Sequence, residues 1–332
     1  MSEFRKDPVT GRWVIIASER KKRPRQHGAG NYSARPELCP FCAGNEAMTP
    51  PEVWAQREMN APPDSPGWFV RVVPNKYPAL ENRGTWTGHK DGIYEWWNGL
   101  GVHEVIIESP NHLVNMGSLD EPQFADILRA YRDRMRDLQR HGRWGYLLLY
   151  KNQGDCAGAT LEHVHSQLIA LPEVPKQAVD ELSGAKMHYE LTGRCIYCEM
   201  IQRELDYGER LVSASESFVA LCPFASRFAY EIWILPRNHS TDFVESPEPD
   251  ILALAYGLRD TITRLNRALD NPPFNYFIHS IPVHETVSPH FHWHIEILPQ
   301  LARAAGFEWG TGSHMNSVAP EDAARLLRDA TV

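Results

Sequence analysis

The stretch His163-Val164-His165-Ser166-Gln167-Leu168-Ile169-Ala170-Leu171-Pro172 decides the fold, because the chain contains it twice. The second copy is His290-Phe291-His292-Trp293-His294-Ile295-Glu296-Ile297-Leu298-Pro299, and each runs from a histidine to a proline nine positions on. Successive side chains of a strand alternate faces, so His163, His165 and Gln167 share one face and Val164, Ser166 and Leu168 the other. Three polar groups on one face of an otherwise apolar strand imply a ligand or a reaction.

Upstream of each copy the same order of elements recurs. His112 closes Ser109-Pro110-Asn111-His112 and His239 closes Pro236-Arg237-Asn238-His239, each after an apolar strand-like run, Glu104-Val105-Ile106-Ile107 and Glu231-Ile232-Trp233-Ile234. His112 to His163 is 51 residues, and His239 to His290 is also 51. Each interval holds one helical stripe: Phe124, Ile127, Leu128, Tyr131, Met135 and Leu138 in the first, and Ile251, Leu254, Ala255, Leu258, Ile262 and Leu265 in the second. Ser118 followed by Glu121 predicts a capping box at the start of the first helix. The chain therefore reads as one unit repeated, with a boundary between 173 and 185.

Each half also carries a cysteine pair, Cys39-Pro40-Phe41-Cys42 and Cys195-Ile196-Tyr197-Cys198. Without a secretory signal, such pairs are more often metal ligands than disulfides. Two thiolates on a knuckle, a histidine ending one strand and a histidine opening another form a closed tetrahedral zinc set. The spacing predicts one Zn2+ at Cys39, Cys42, His112 and His163, and a second at Cys195, Cys198, His239 and His290. Cys156 and Cys222 have no partner in sequence and read as small buried residues.

With His163 on metal, His165 remains on the same face, near the glycine-containing stretch Asn152-Gln153-Gly154-Asp155-Cys156-Ala157-Gly158-Ala159-Thr160. Backbone N–H groups of such a loop suit phosphate oxygens. A neutral imidazole can attack an activated phosphorus and divide one transfer into two displacements. Gln167 can hydrogen-bond a non-bridging oxygen but cannot act as acid or base, which favours transfer over hydrolysis. A rival reading makes His292 the nucleophile of a hydrolase, since His290, His292 and His294 form a triad pattern. The second half places His279-Ser280-Ile281-Pro282 where the first has its glycine-containing loop, and Pro282 has no amide to offer.

Composition bounds the alternatives. The 332 residues, 42% of them apolar, suffice for about two domains. Lys+Arg 34 against Asp+Glu 42 gives a net charge of -8, which argues against affinity for nucleic acid. The N-terminal segment has no apolar signal region and no apolar run approaches a membrane span, so a cytoplasmic chain is expected.

Taken in order, several segments resemble the galactose-1-phosphate uridylyltransferase family of the histidine-triad superfamily, including its ADP-glucose phosphorylase branch. They are Asp7-Pro8-Val9-Thr10-Gly11-Arg12-Trp13-Val14-Ile15-Ile16-Ala17, Glu19 to Pro24, Cys39-Pro40-Phe41-Cys42-Ala43-Gly44-Asn45-Glu46, Val73-Pro74-Asn75-Lys76-Tyr77-Pro78-Ala79-Leu80 and Ser109 to His112. The resemblance implies an α+β fold of two tandem histidine-triad-like units, residues 1–175 and 176–332, each an antiparallel sheet with packed helices, fused into one body. It implies that His165 becomes nucleotidylated, that Gln167 stabilises the covalent intermediate, and that Arg20, Arg23, Asn75, Asn152, Gly158 and Thr160 lie around the nucleotide and phosphoryl groups. Gly306-Phe307-Glu308-Trp309-Gly310-Thr311-Gly312 is similar to family material near the sugar, which makes Glu308 a substrate contact. The expected substrates are a nucleotide-sugar and a sugar 1-phosphate, with no organic cofactor and a homodimeric assembly. UDP-glucose with galactose 1-phosphate is the leading pair. ADP-glucose with phosphate is the alternative, favoured by Val164 in place of the family's proline between the histidines and by the second cysteine pair.

Overall fold

The computed structural model describes residues 39–285, 288–303, 305–312 and 314–330, and the backbone of 3–6 and 13–16. Its strands are β1 (Glu3–Lys6), β2 (Trp13–Ile16), β3 (Trp54–Arg57), β4 (Trp68–Pro74), β5 (Gly88–Asp91), β6 (Tyr94–Asn98), β7 (Val102–Ile107), β8 (Tyr146–Gln153), β9 (His165–Leu171), β10 (Leu211–Ala214), β11 (Phe218–Leu221), β12 (Ile232–Pro236), β13 (Phe274–His279) and β14 (His294–Pro299). Its helices are α1 (Glu121–Arg140), α2 (Lys176–Thr192), α3 (Ile196–Tyr207), α4 (Glu248–Leu269), α5 (Gly306–Thr311) and α6 (Pro320–Asp329).

The duplication is written in the strand order. One antiparallel sheet runs β10-β11-β12-β14-β13-β8-β9-β7-β4-β3, so reading outward from the centre each half repeats the other. At that centre β13 pairs with β8, from Phe274↔Gln153 to Ile278↔Leu149. The two repeats thus share one continuous sheet, an α+β body. A smaller sheet, β2-β1-β6-β5, stands apart in the hydrogen-bond pattern.

The helical stripes are buried as their spacing predicts. The six named positions of α1 and the six of α4 are all at most 1% exposed, and the two helices pack side by side with Arg129 and Arg132 reaching Glu248 at 2.6 and 3.2 Å. Fully burying one such Leu, Ile or Phe contributes about 1.5–3 kcal/mol, so these stripes hold the helices to the sheet. The start of α1 differs from expectation. Ser118 ends a 3-10 turn, Met116–Ser118, and the N-cap is Asp120, whose carboxylate accepts the Gln123 N–H at 2.9 Å. Pro122 follows in the first turn, where an amide hydrogen is dispensable.

Strand alternation separates two faces. Ile106, Leu149, Leu168, Ile278 and Ile295 are fully buried on the face that α1 and α4 cover. A polar cluster sits on this face as well: Glu108 accepts from Tyr131 at 2.6 Å and from Lys151 and Ser166, and Tyr131 meets Tyr276 of β13 at 2.6 Å. The opposite face carries His165, Gln167, His103 and Tyr150. Cys222 is buried, whereas Cys156, expected buried, is exposed on the loop after β8.

Candidate active site and metal centres

The first cysteine pair forms a tight knuckle. The Cys42 N–H donates to the Cys39 carbonyl at 3.3 Å, and the Asn45 side chain donates to the same oxygen at 2.8 Å. His112, after β7, and His163, before β9, bring Nδ1 to the thiols: Cys42 to His112 is 3.3 Å, Cys39 to His163 is 3.5 Å, and Cys42 to His163 is 3.6 Å. Zn–S near 2.3 Å and Zn–N near 2.0 Å at a tetrahedral angle give an S···N edge of about 3.5 Å, so the spacing fits zinc. His163 Nε2 meets the Ser109 carbonyl at 2.8 Å, leaving Nδ1 as the ligand atom. Burial holds the His163 ring neutral, down to about 4. Burial and then Cys39 push the Cys42 thiol up to about 12. Two adjacent thiolates here therefore need a cation.

The second set is Cys195, Cys198, His239 and His292, whose ligand atoms lie within 4.8 Å of one another. This corrects the expectation that His290 is the fourth ligand. Cys198 Sγ is 3.5 Å from His239 Nδ1 and 3.6 Å from His292 Nδ1, whereas the His290 ring faces the Ser288 hydroxyl at 2.8 Å. The cause is loop length: Asn152 to His163 is 11 residues, but the corresponding His279 to His292 is 13. Two extra residues before β14 shift the ligand while leaving the 51-residue count intact at the wrong histidine. The backbone contacts obey the corrected match. His292 Nε2 meets the Pro236 carbonyl at 2.9 Å and His294 Nδ1 meets the His292 carbonyl at 3.0 Å. With one ring nitrogen facing the thiol and the other a carbonyl, both His292 nitrogens are engaged, an arrangement suited to a metal ligand and not to a nucleophile.

A third group, Glu181, His279 and His294, also converges within 4.8 Å. Among the described residues the buried Nε2 atoms of His279 and His294 have no hydrogen-bond partner, although the Glu296 carboxylate stands 3.6 Å from His294 Nε2, and a cation between these side chains would satisfy them. The second half thus combines a Cys₂His₂ set with a carboxylate–histidine set, where the sequence pattern showed only the first.

His165 opens β9 at the wall of a cavity of about 290 Å³, together with Phe41, Val73, Asn75, Thr160 and Gln167. Its Nδ1 lies 2.7 Å from the His163 carbonyl. A carbonyl only accepts, so Nδ1 carries the hydrogen and Nε2 the lone pair. The Phe41 ring packs edge-on at 5.2 Å and gives the imidazole an apolar neighbour. Gln167 stands two residues on, its oxygen 2.9 Å from His103 Nε2, 3.1 Å from the Tyr150 hydroxyl and 3.5 Å from Asn75 Nδ2. The pair offers a ring-nitrogen lone pair beside a side-chain amide, in a mostly apolar pocket.

The other expected contacts divide. Asn75 and Thr160 line the cavity. Asn152, near the end of β8, and Gly158, on the loop from β8 to Thr160, are not among the described residues that line it. Asn275 Nδ2 ties the Asn152 oxygen at 2.7 Å to the Ala157 carbonyl at 2.8 Å. Gly154 has φ +85°, and a Cβ there would meet Pro273 at 2.8 Å, so this turn requires glycine. Glu308, expected as a substrate contact, lies half-buried on α5, and its carboxylate accepts the Ala305 and Met315 N–H groups at 2.9 and 3.3 Å. It caps its own helix and does not line this cavity. Arg20 and Arg23 lie outside the described residues. His103 and Tyr150 carry no motif signal of their own, and cross-strand register brings them to Gln167.

A sequence profile described as the N-terminal domain of galactose-1-phosphate uridyl transferase matches residues 1–175, and one described as a domain of unknown function matches 103–331. An ADP-glucose phosphorylase of Arabidopsis thaliana is 38% identical over 99% of this chain and 93% of its own. A galactose-1-phosphate uridylyltransferase of Thermotoga maritima is 30% identical over 100% and 99%. The crystal structure of an Arabidopsis thaliana ADP-glucose phosphorylase with bound ADP-glucose matches with a TM-score of 0.78 at 36% identity, covering 100% of both chains. Among the described residues no helix is long and apolar enough to cross a membrane. The chain, with its paired Cys/His centres and cavity-wall histidine, belongs to the galactose-1-phosphate uridylyltransferase family.

Proposed function

We propose that the protein moves a nucleotidyl group from a nucleotide-sugar to a phosphate acceptor through a covalent nucleotidyl-His165 intermediate. The observation that carries this reading is His165 at the cavity wall with Nδ1 held by the His163 carbonyl at 2.7 Å, because that tautomer leaves the Nε2 pair as the nucleophile. In the first displacement an Nε2–P bond forms at the α-phosphorus while the bond to the bridging oxygen breaks. Glucose 1-phosphate leaves with the electron pair. In the second, an acceptor phosphate oxygen attacks the same phosphorus and the pair returns to Nε2. Both steps depend on orientation and charge neutralisation. Gln167 and Thr160 line the cavity to bind phosphoryl oxygens, and Lys76 supplies a positive charge at its rim. Arg20 and Arg23 join them on the strength of the family resemblance. Zinc, when bound at either Cys₂His₂ set, cross-links the chain around the strands that carry these groups.

Adenylyl transfer from ADP-glucose to phosphate is the preferred branch. The relative that is 38% identical is an ADP-glucose phosphorylase, and Val164 separates the two histidines. Uridylyl transfer from UDP-glucose to galactose 1-phosphate is the second reading, favoured by the 30% identical uridylyltransferase. Homodimer formation belongs to the same reading and is checked by light scattering. Labelled glucose 1-phosphate, incubated with each nucleotide-sugar without an acceptor, tests the chemistry. Label entering ADP-glucose supports the first branch, and label entering UDP-glucose the second. No exchange with either contradicts a ping-pong transfer.

A further inference from the structure

We infer that His103 is a positioning residue that fixes which end of the Gln167 amide faces the reacting phosphoryl group. The inference rests on the proposed role of His165 and Gln167 and adds the device that orients the second. His103 is buried on β7, and Val105↔Gln167 and His103↔Ile169 in the β7–β9 register place it diagonally across from Gln167. The Ala79 backbone N–H donates to His103 Nδ1 at 3.0 Å. An amide N–H cannot accept, so Nδ1 holds the lone pair and the neutral ring carries its hydrogen on Nε2. That N–H, 2.9 Å from the Gln167 side chain, requires an oxygen opposite it.

Two further donors converge on the same atom. The Tyr150 hydroxyl reaches the Gln167 oxygen at 3.1 Å. Asn75 has its own oxygen taken by the Tyr77 N–H at 2.9 Å and turns Nδ2 toward the site, 3.5 Å from the Gln167 oxygen and 3.2 Å from His103 Nε2. With that ring nitrogen protonated, the glutamine oxygen is the acceptor both share. The Gln167 NH₂ is then the end left to serve the cavity. A phosphoryl oxygen accepts hydrogen bonds, so this end attracts it, and a reversed amide would set oxygen against oxygen. The backbone of Ala79 thereby dictates a ring tautomer, and the tautomer dictates the polarity presented to phosphorus.

Two substitutions separate orientation from mere packing. His103→Asn keeps an oxygen near the Nδ1 position for the Ala79 N–H but removes the donor to Gln167. His103→Gln places an NH₂ near the Nε2 position and gives up the Ala79 contact. Single-turnover rates of nucleotidyl-enzyme formation are measured with ADP-glucose and UDP-glucose, alongside KM and melting temperature. H103N is expected to slow adduct formation about 10- to 100-fold, the usual effect of losing an orienting neighbour, with KM changed less than about twofold. H103Q is expected to retain the rate within about threefold while melting at lower temperature. In a Gln167→Ala background H103N adds less than about twofold, since residues acting through one group are not additive. A wild-type rate in H103N, H103Q slower than H103N, or full additivity overturns the inference and leaves transfer through His165 standing. Wild-type protein that forms no adduct with either nucleotide-sugar overturns that reading and this inference together.

Discussion

The His163 carbonyl accepts the hydrogen bond of His165 Nδ1 at 2.7 Å, so a residue whose own ring belongs to the first metal set also fixes the tautomer of the cavity-wall histidine. Metal site and nucleophile are therefore mechanically joined. Replacing Cys39 by Ser is expected to remove zinc from the first centre, lower the melting temperature and slow adduct formation at His165 by at least about tenfold, by analogy with loss of an orienting contact. Metal analysis and adduct kinetics on the same preparation check this. Full activity without zinc at the first centre would uncouple the two.

The second centre discriminates between neighbouring histidines. His292→Ala is expected to lose one zinc per chain, because its Nδ1 faces Cys198 at 3.6 Å, while His290→Ala retains it. Elemental analysis of the two variants decides the matter, and adduct formation at His165 is expected in both.

Much of this was legible in the sequence, and the exceptions have particular causes. The stripes of α1 and α4 are readable because burial on a helix recurs every three or four residues, and no tertiary contact is needed to see it. The first metal set is readable because its four residues flank strand ends in a fixed order. His290 misled because a residue count carries no record of the longer loop before β14. His103 was invisible because it precedes an apolar run, and only the β7–β9 register gives it Gln167 as a neighbour. A motif likeness does not tell a substrate contact from a helix cap, and Glu308 caps α5.

Glu46 supports the first knuckle and gives it a pH dependence. Its carboxylate accepts the Trp68 indole N–H at 2.8 Å and the Gly44 N–H at 3.0 Å. Burial alone would raise its pKa, but these hydrogen bonds hold it below the usual 4.5. A depressed value stabilises the fold above the unfolded pKa, and that contribution fades as pH falls through 4.5 toward the folded value. Glu46→Gln is expected to cost about 1.5–3 kcal/mol at pH 7, the range for hydrogen bonds to a charged group. The difference from wild type is expected to shrink below pH 4.5, as read by denaturant unfolding at each pH.

Glu108 and Lys151 form an ion pair inside the core, at 0% and 1% exposure, and Lys151 also donates to the His165 carbonyl at 3.1 Å. Removing one partner leaves a buried charge unpaired. Glu108→Gln is expected to destabilise the chain by about 3–5 kcal/mol, and replacing both residues by Met is expected to cost less than Glu108→Gln alone. Urea unfolding of the single and double variants checks the order.

Covalent capture at His165 tests the account most directly. Intact-mass analysis of the protein after incubation with ADP-glucose and, separately, with UDP-glucose is expected to show one adenylyl or uridylyl increment per chain, absent from His165→Gly and present in His292→Gly. An increment that survives in His165→Gly, or none with either nucleotide-sugar, contradicts it.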